Sequence, residues 1–83
     1  MTYVVYILQS EKDRSYYIGF TSDLDIRLSF HNSGKSRYTS LKMPWKVVYS
    51  ESYATKSDAL KREKFLKQQR NRTFYERLIK NDK

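Results

Sequence analysis

The sequence predicts a small α+β domain whose elements follow the order ββαβαα. Two β-branched and aromatic segments lie at hairpin distance near the start of the chain, and two segments that begin with capping residues follow a third strand-like run. A chain of 83 residues buries only roughly 60–65% of the surface that its unfolded form exposes. We therefore expect one small core and a single domain over residues 1–83.

Two N-terminal segments are predicted to form an antiparallel pair. Residues 3–8 are β-branched and aromatic, and they stop at the polar segment 9–15, as a strand entering a loop does. Residues 16–20 follow at hairpin distance. Apolar residues occupy both parities of these strands, which indicates that both faces of the sheet are covered.

The first helix is predicted to begin after Ser22, which stands where an N-cap is needed, ahead of acidic residues in the first turn. It runs toward Asn32 and is stopped by Gly34. Pro44 then opens a third strand over residues 45–49.

The last part of the chain is predicted to form two helices. Thr55 and Asp58 have the spacing of a capping box ahead of a helix that ends at about Arg70. Thr73 and Glu76 repeat this spacing ahead of a short final helix.

The composition restricts the class of protein. There are 17 Lys and Arg residues against 9 Asp and Glu, a formal charge of +8 that indicates a polyanionic partner. The absence of cysteine excludes disulfides, thiolate zinc sites and cysteine nucleophiles. Residues 3–8 form the longest apolar run, which is too short for a signal sequence or a membrane span. We expect a soluble cytoplasmic protein.

Arg27 and His31 lie on the apolar side of the first predicted helix. They fall between two apolar stripes, formed by Leu24 with Leu28 and by Ile26 with Phe30. As an i,i+4 pair they project together toward the sheet, where the arginine needs an anion such as a phosphate. The alternative is an arginine that an internal carboxylate neutralises, beside a core histidine bonded to the backbone.

Glu63 occupies a similar position on the second long helix, between apolar residues on either side. One interpretation is an ordinary helix-surface pair with Lys67, one turn away. The other is a carboxylate that faces the Arg27 and His31 pair and holds a hard divalent cation. The positions of Arg27, His31 and Glu63 together indicate a phosphodiester-binding site. The single histidine excludes a two-histidine acid–base pair, and the chemistry of the site stays open.

These residues lie in a recognisable order. The segments Val5-Tyr6-Ile7 and Tyr17-Ile18-Gly19, followed by Arg27, His31 and Glu63, resemble the GIY-YIG nuclease superfamily. The resemblance is closest to its small single-domain, excinuclease-C-like members, and it is carried by Tyr6-Ile7-Leu8, His31-Asn32-Ser33-Gly34, Tyr38-Thr39 and Arg62-Glu63. Val5 replaces the first glycine of the family motif. Larger members also use an asparagine beyond the metal-binding glutamate; here only Asn71 lies nearby, and the sequence does not assign it that role.

The resemblance implies a three-stranded antiparallel sheet flanked by helices and a metal-dependent endonuclease of DNA repair or recombination. It implies that Glu63 binds Mg²⁺ or Mn²⁺ and that Arg27 contacts the scissile phosphate. Tyr6 is the implied general base, with Tyr17 orienting it or the attacking water. His31 or a metal-bound hydroxide helps to remove the proton of Tyr6.

The excess of basic residues predicts contact with DNA through its phosphates. The candidates for this contact are Lys35, Arg37, Lys42, Arg70 and Arg72. One alternative is a non-catalytic nucleic-acid-binding module that keeps the same fold. Another is a protein–protein adaptor in DNA repair, for which the positive charge is incidental.

Overall fold

The computed structural model describes residues 2–81. Three strands, three α-helices and one short 3₁₀ helix follow one another along the chain: β1 (Tyr3–Ser10), β2 (Tyr16–Thr21), α1 (Leu24–His31), the 3₁₀ helix (Thr39–Lys42), β3 (Trp45–Tyr53), α2 (Lys56–Gln69) and α3 (Arg72–Lys80). In this part of the chain, no helix has the length and apolar character that crossing a bilayer requires.

The three strands form one antiparallel sheet in the order β2-β1-β3. This arrangement confirms the predicted α+β class and the order ββαβαα. Strand β1 is central, so its residues have partners on both sides, and Tyr6 lies opposite Gly19 on β2 and Ser50 on β3. β3 extends to Tyr53, beyond the predicted end at residue 49, because it pairs with β1 along nearly its whole length.

Each face of the sheet is covered by its own apolar cluster, as the sequence predicts. On one face, Val5 and Ile7 pack with Ala59 and Leu66 of α2. On the other face, the buried residues are Tyr6, Leu8 and Trp45, against which Leu24 and Leu28 of α1 pack. Tyr6 therefore lies on the face that carries α1.

Two of the three predicted helix caps are wrong by one or two residues. Asp23, not Ser22, caps α1, because its extended backbone lets Oδ1 accept from the Ile26 amide at 3.1 Å. Asn71, not Thr73, caps α3 by accepting from the Phe74 amide. The prediction for Thr55 is confirmed, since its hydroxyl accepts from the Asp58 amide.

The second apolar stripe predicted for α1 does not face the sheet. Leu24 and Leu28 pack inward, whereas Ile26 is 68% exposed and Phe30 is 38% exposed. The helix has only eight residues, and one line of side chains is enough for its contact with the sheet. The change of orientation turns His31 inward and leaves Arg27 in solvent.

Candidate active site

The hydroxyl of Tyr6 is the centre of a buried hydrogen-bonded chain. Its oxygen lies 3.2 Å from Nε2 of His31, and Nδ1 of the same ring lies 3.1 Å from the hydroxyl of Thr39. All three side chains are buried. His31 is thus bonded to two side-chain hydroxyls instead of to the backbone, which was the alternative left open by the sequence.

The secondary-structure elements around this hydrogen-bonded chain hold its three side chains in place. The carbonyl of Thr39 accepts from the Trp45 indole at 2.8 Å. The side chain of Asn32, the C-cap of α1, makes two hydrogen bonds to the Trp45 backbone, at 2.7 and 3.0 Å. These contacts join the end of α1, the 3₁₀ helix and the start of β3 around the imidazole of His31.

Tyr17 is half-buried and borders the same imidazole. Its ring meets the His31 ring edge-on, with centroids 4.8 Å apart, and it also contacts Trp45 and Tyr38. The parity of β2 places Tyr17 two residues from Gly19, on the face that carries α1. The two tyrosines of the predicted site are therefore on one face of the sheet.

The electrostatic surroundings of Tyr6 include the two charged residues singled out in the sequence. Burial raises the pKa of the Tyr6 hydroxyl, and the nearby hydroxyl of Tyr17 adds to this effect. The positive charge of Arg27 lowers the pKa of Tyr6, and the carboxylate of Glu63 raises it. Both charges consequently act on the oxygen of Tyr6.

His31 is held in its neutral form. Burial lowers its pKa, and the positive charge of Arg27 lowers it further. A neutral imidazole has one nitrogen that donates and one that accepts, so it can bridge the two hydroxyls.

Arg27 is exposed to solvent. Its guanidinium group lies over the ring of Phe30, 5.8 Å from the centroid. It also lines a shallow pocket of about 340 Å³ together with Ser22 and Lys56. Within residues 2–81 no carboxylate lies within ion-pair distance of Arg27, so the alternative of an internally neutralised arginine does not hold.

Glu63 has the partner that the simpler interpretation predicts. Its carboxylate lies 3.2 Å from Nζ of Lys67, and its side chain is 16% exposed. It also lines a groove of about 730 Å³ with Lys64 and Arg70. An i,i+4 pair with an exposed lysine contributes only a few tenths of a kcal/mol, so a cation can displace the ammonium group.

The basic residues predicted to contact DNA fall into two groups. Lys35 and Arg37 are exposed in the loop after α1, and Arg70 is exposed at the end of α2. Lys42 pairs with Asp13 at 3.2 Å, and Arg72 pairs with Glu76 at 3.3 Å, so these two have internal partners.

The sequence reasoning missed Lys56, which lines the same pocket as Arg27 only in the folded chain. No local sequence pattern signals that these two residues come together.

Asn71 takes no part in the cluster around Tyr6. Its Oδ1 accepts from the Phe74 amide at 3.2 Å as the N-cap of α3. The sequence left the role of Asn71 open, and the structure shows it as a helix cap.

The order of these residues agrees with a comparison of the whole chain. The family model described as the GIY-YIG catalytic domain matches residues 2–77. The chain belongs to the GIY-YIG family. This is a nuclease superfamily whose enzymes generally use divalent metal ions and act on nucleic acids.

Relatives and a solved structure agree with this assignment. The chain is 40% identical over 78 residues to a UPF0213 protein of Streptococcus pneumoniae serotype 4, covering 93% of this chain and 78% of the relative. It is 42% identical over 81 residues to the UPF0213 protein YsiG of Lactococcus lactis subsp. lactis, covering 96% and 77%. The solution NMR structure of a UPF0213 protein from Bacillus halodurans is similar with a TM-score of 0.63 and 34% identity, over 99% of this chain and 86% of that one.

Proposed function

We propose that this GIY-YIG protein is a metal-dependent endonuclease that hydrolyses DNA phosphodiester bonds in repair or recombination, acting as a single domain of residues 1–83. The observation that carries the proposal is the environment of the Tyr6 hydroxyl. It is held by neutral His31, and the charges of Arg27 and Glu63 both act on it. A phenol whose pKa responds to both a guanidinium and a carboxylate has near it the kinds of group that hydrolysis of a phosphodiester requires.

Glu63 is the residue that would hold Mg²⁺ or Mn²⁺. Within the described part of the chain, no three acidic or histidine side chains are grouped as a metal site. One carboxylate is nevertheless sufficient, since Mg²⁺ commonly takes one or two protein carboxylates and completes its shell with water and substrate oxygens. When bound, the ion would polarise the phosphate and stabilise the leaving oxygen.

Arg27 would bind the scissile phosphate. Its guanidinium is exposed, and no carboxylate within residues 2–81 neutralises it. The planar group can contact two phosphate oxygens at once and spread over the charge that develops there. Lys56 lines the same pocket and would add a second positive charge there.

Tyr6 would act as the general base. In its phenolate form it accepts the proton of the attacking water, and the rate then depends on how much phenolate is present. Burial raises the pKa of Tyr6 and so disfavours the phenolate, whereas the positive charge of Arg27 favours it. Tyr17, beside His31, would keep the imidazole and the attacking water in position.

The test is cleavage of branched, nicked and linear DNA with Mg²⁺, with Mn²⁺ and with chelator. We expect cleavage that needs the metal and that Glu63→Gln abolishes, because glutamine keeps the shape and removes the charge. Glu76→Gln is the matched control, since it also breaks an i,i+4 pair, on α3, between two exposed side chains. Equal cleavage by the parent and Glu63→Gln would contradict the proposal.

The competing function is a nucleic-acid-binding module without turnover. The observation that favours it is the ion pair between Glu63 and Lys67, which already neutralises the carboxylate. The same assay separates the two functions. Salt-sensitive DNA binding by the parent, with no cleavage under any metal condition, would establish the binding module.

A further inference from the structure

The protons of the hydrogen-bonded chain formed by Thr39, His31 and Tyr6 can be arranged in two ways. Each ring nitrogen of His31 has one partner, with Nδ1 3.1 Å from Thr39 Oγ1 and Nε2 3.2 Å from Tyr6 Oη. A neutral imidazole has one N–H and one free lone pair. Either Nδ1 donates to Thr39 and Nε2 accepts from Tyr6, or Thr39 donates to Nδ1 and Nε2 donates to Tyr6.

Each pattern leaves one hydroxyl hydrogen without an acceptor among residues 2–81, that of Thr39 in the first and that of Tyr6 in the second. Thr39 is fully buried, and among residues 2–81 its hydroxyl has no hydrogen-bond partner besides Nδ1 of His31. If Nδ1 carried the proton, the hydrogen of the Thr39 hydroxyl would be buried without an acceptor, which proteins rarely tolerate. If Thr39 donates, its hydrogen is paired, and the hydrogen left over belongs to the phenol of Tyr6. A phenol can lose this proton, whereas a threonine hydroxyl cannot. Once Tyr6 is a phenolate, only the second pattern leaves every group of the three side chains paired.

We propose that Thr39 is a positioning residue: its hydroxyl donates to Nδ1 of His31 and thereby keeps the imidazole proton on Nε2, which donates to the phenolic oxygen of Tyr6. His31 then stabilises negative charge on that oxygen and favours the phenolate. This is the reverse of the role expected from the sequence, in which His31 removes the proton of Tyr6. The effect on catalysis rests on the proposed nuclease function, whereas the protonation pattern of the ring does not.

The position of Thr39 supports this role. It opens the 3₁₀ helix, and its carbonyl accepts from the Trp45 indole at 2.8 Å, so its backbone is held in place. Asn32 in turn holds the backbone of Trp45. The lowered pKa of His31 keeps the ring neutral near pH 7, which is the state that has two tautomers.

The chain has a single histidine, so the tautomer can be measured directly. With ¹⁵N-labelled histidine, a two-bond proton–nitrogen correlation spectrum at about pH 8, where the ring is neutral, contains one imidazole. We expect Nε2 to be protonated in the parent and in Thr39→Ser. In Thr39→Val, which lacks the hydroxyl, we expect a mixture of the two tautomers.

Two results would overturn the inference. One is a parent spectrum in which Nδ1 carries the proton, and this result needs no variant that might misfold. The other is a Thr39→Val variant that folds and keeps the proton wholly on Nε2.

Single-turnover cleavage with Mg²⁺ adds the catalytic readout. We expect Thr39→Val to lose about tenfold or more of the parent rate, and Thr39→Ser to recover it to within about threefold. Equal rates for Val and Ser would show that the hydroxyl does not act on catalysis. If the parent does not cleave DNA at all, the proposed function fails, while the spectrum still decides the tautomer.

Discussion

The phenol of Tyr6 lies against the backbone of Gly19, its partner across the β1/β2 pair. A Cβ atom at position 19 would come within 2.6 Å of the Tyr6 oxygen and 2.8 Å of its Cζ. Side chains cannot approach so closely, so only glycine leaves room for this ring. The glycine of the second family motif is thus explained by the position of the tyrosine of the first.

Gly19→Ala should displace the Tyr6 hydroxyl and lower the cleavage rate. A shift of about 1 Å in a reacting group can cost on the order of 100-fold. The control is Gly34→Ala, just after α1, where φ is +83° and a Cβ would make only an ordinary contact with Met43 at 3.9 Å. That change should reduce stability by about 1–2 kcal/mol through backbone strain and leave the rate unchanged. A Gly19→Ala variant with the parent rate would contradict the importance of this contact.

Tyr6→Phe keeps the ring and deletes the oxygen. If Tyr6 is the general base, the rate should fall by about 10²–10⁴-fold while DNA affinity and metal affinity are retained. Because the pKa of Tyr6 is raised, the parent rate should increase with pH across pH 6 to 9 without reaching a plateau, and the variant should lose this dependence. Single-turnover cleavage is the measurement, and a variant within about threefold of the parent at every pH would remove Tyr6 from the mechanism.

Arg27→Lys should be almost as inactive as Arg27→Ala. A single ammonium cannot reproduce contact with two phosphate oxygens, although it keeps the charge. Arg77→Lys, an exposed change on α3, serves as the control and should retain the parent rate. Recovery of activity by Arg27→Lys would mean that only the charge matters at this position.

A second polar cluster should govern stability in acid. The carboxylate of Glu51 accepts from Arg62 at 2.9 Å, and from Tyr49 and Tyr53. Burial by itself would raise the pKa of Glu51, but the hydrogen bonds from Arg62 and the two tyrosines lower it below its ordinary value of 4.5. The ionised carboxylate therefore stabilises the folded chain above about pH 4.5, and this contribution is lost as the pH falls through the lower folded pKa.

Glu51→Gln removes that contribution. We expect it to lower the free energy of unfolding by about 1–3 kcal/mol at neutral pH, and by much less in acid, where the parent carboxylate is protonated too. Denaturant unfolding of both proteins from pH 3 to pH 7 measures the difference. A loss of stability that is equal at both ends of this range would show that the charge of Glu51 is not what stabilises the fold.

Binding to duplex DNA should be electrostatic. The formal charge of +8 comes from lysine and arginine residues, of which Lys35 and Arg37 are exposed. The logarithm of the binding constant should fall with the logarithm of salt concentration, with a slope of about −0.9 for each phosphate neutralised. The double variant Lys35→Ala with Arg37→Ala should make this slope shallower. A binding constant that does not change with salt would exclude phosphate contact.

The elements that could be predicted from the sequence are those that depend on neighbouring residues. The strands β1 and β2 follow from short runs of β-branched and aromatic residues, and the start of α2 follows from the Thr55 cap. The caps at Asp23 and Asn71 were missed because several polar residues stand near each helix start. Which of them caps depends on the backbone angles there, since its oxygen must reach an amide two or three residues ahead.

The sequence by itself determined the elements of the sheet and helices, and it put Arg27 and His31 one turn apart on the same helix. The tertiary structure alone decided that His31 is buried between Tyr6 and Thr39 while Arg27 stays in solvent. It likewise decided that the ring of Tyr6 lies over Gly19. Helical periodicity and strand alternation describe one element at a time, whereas these contacts depend on strand register and on how α1 rotates against the sheet.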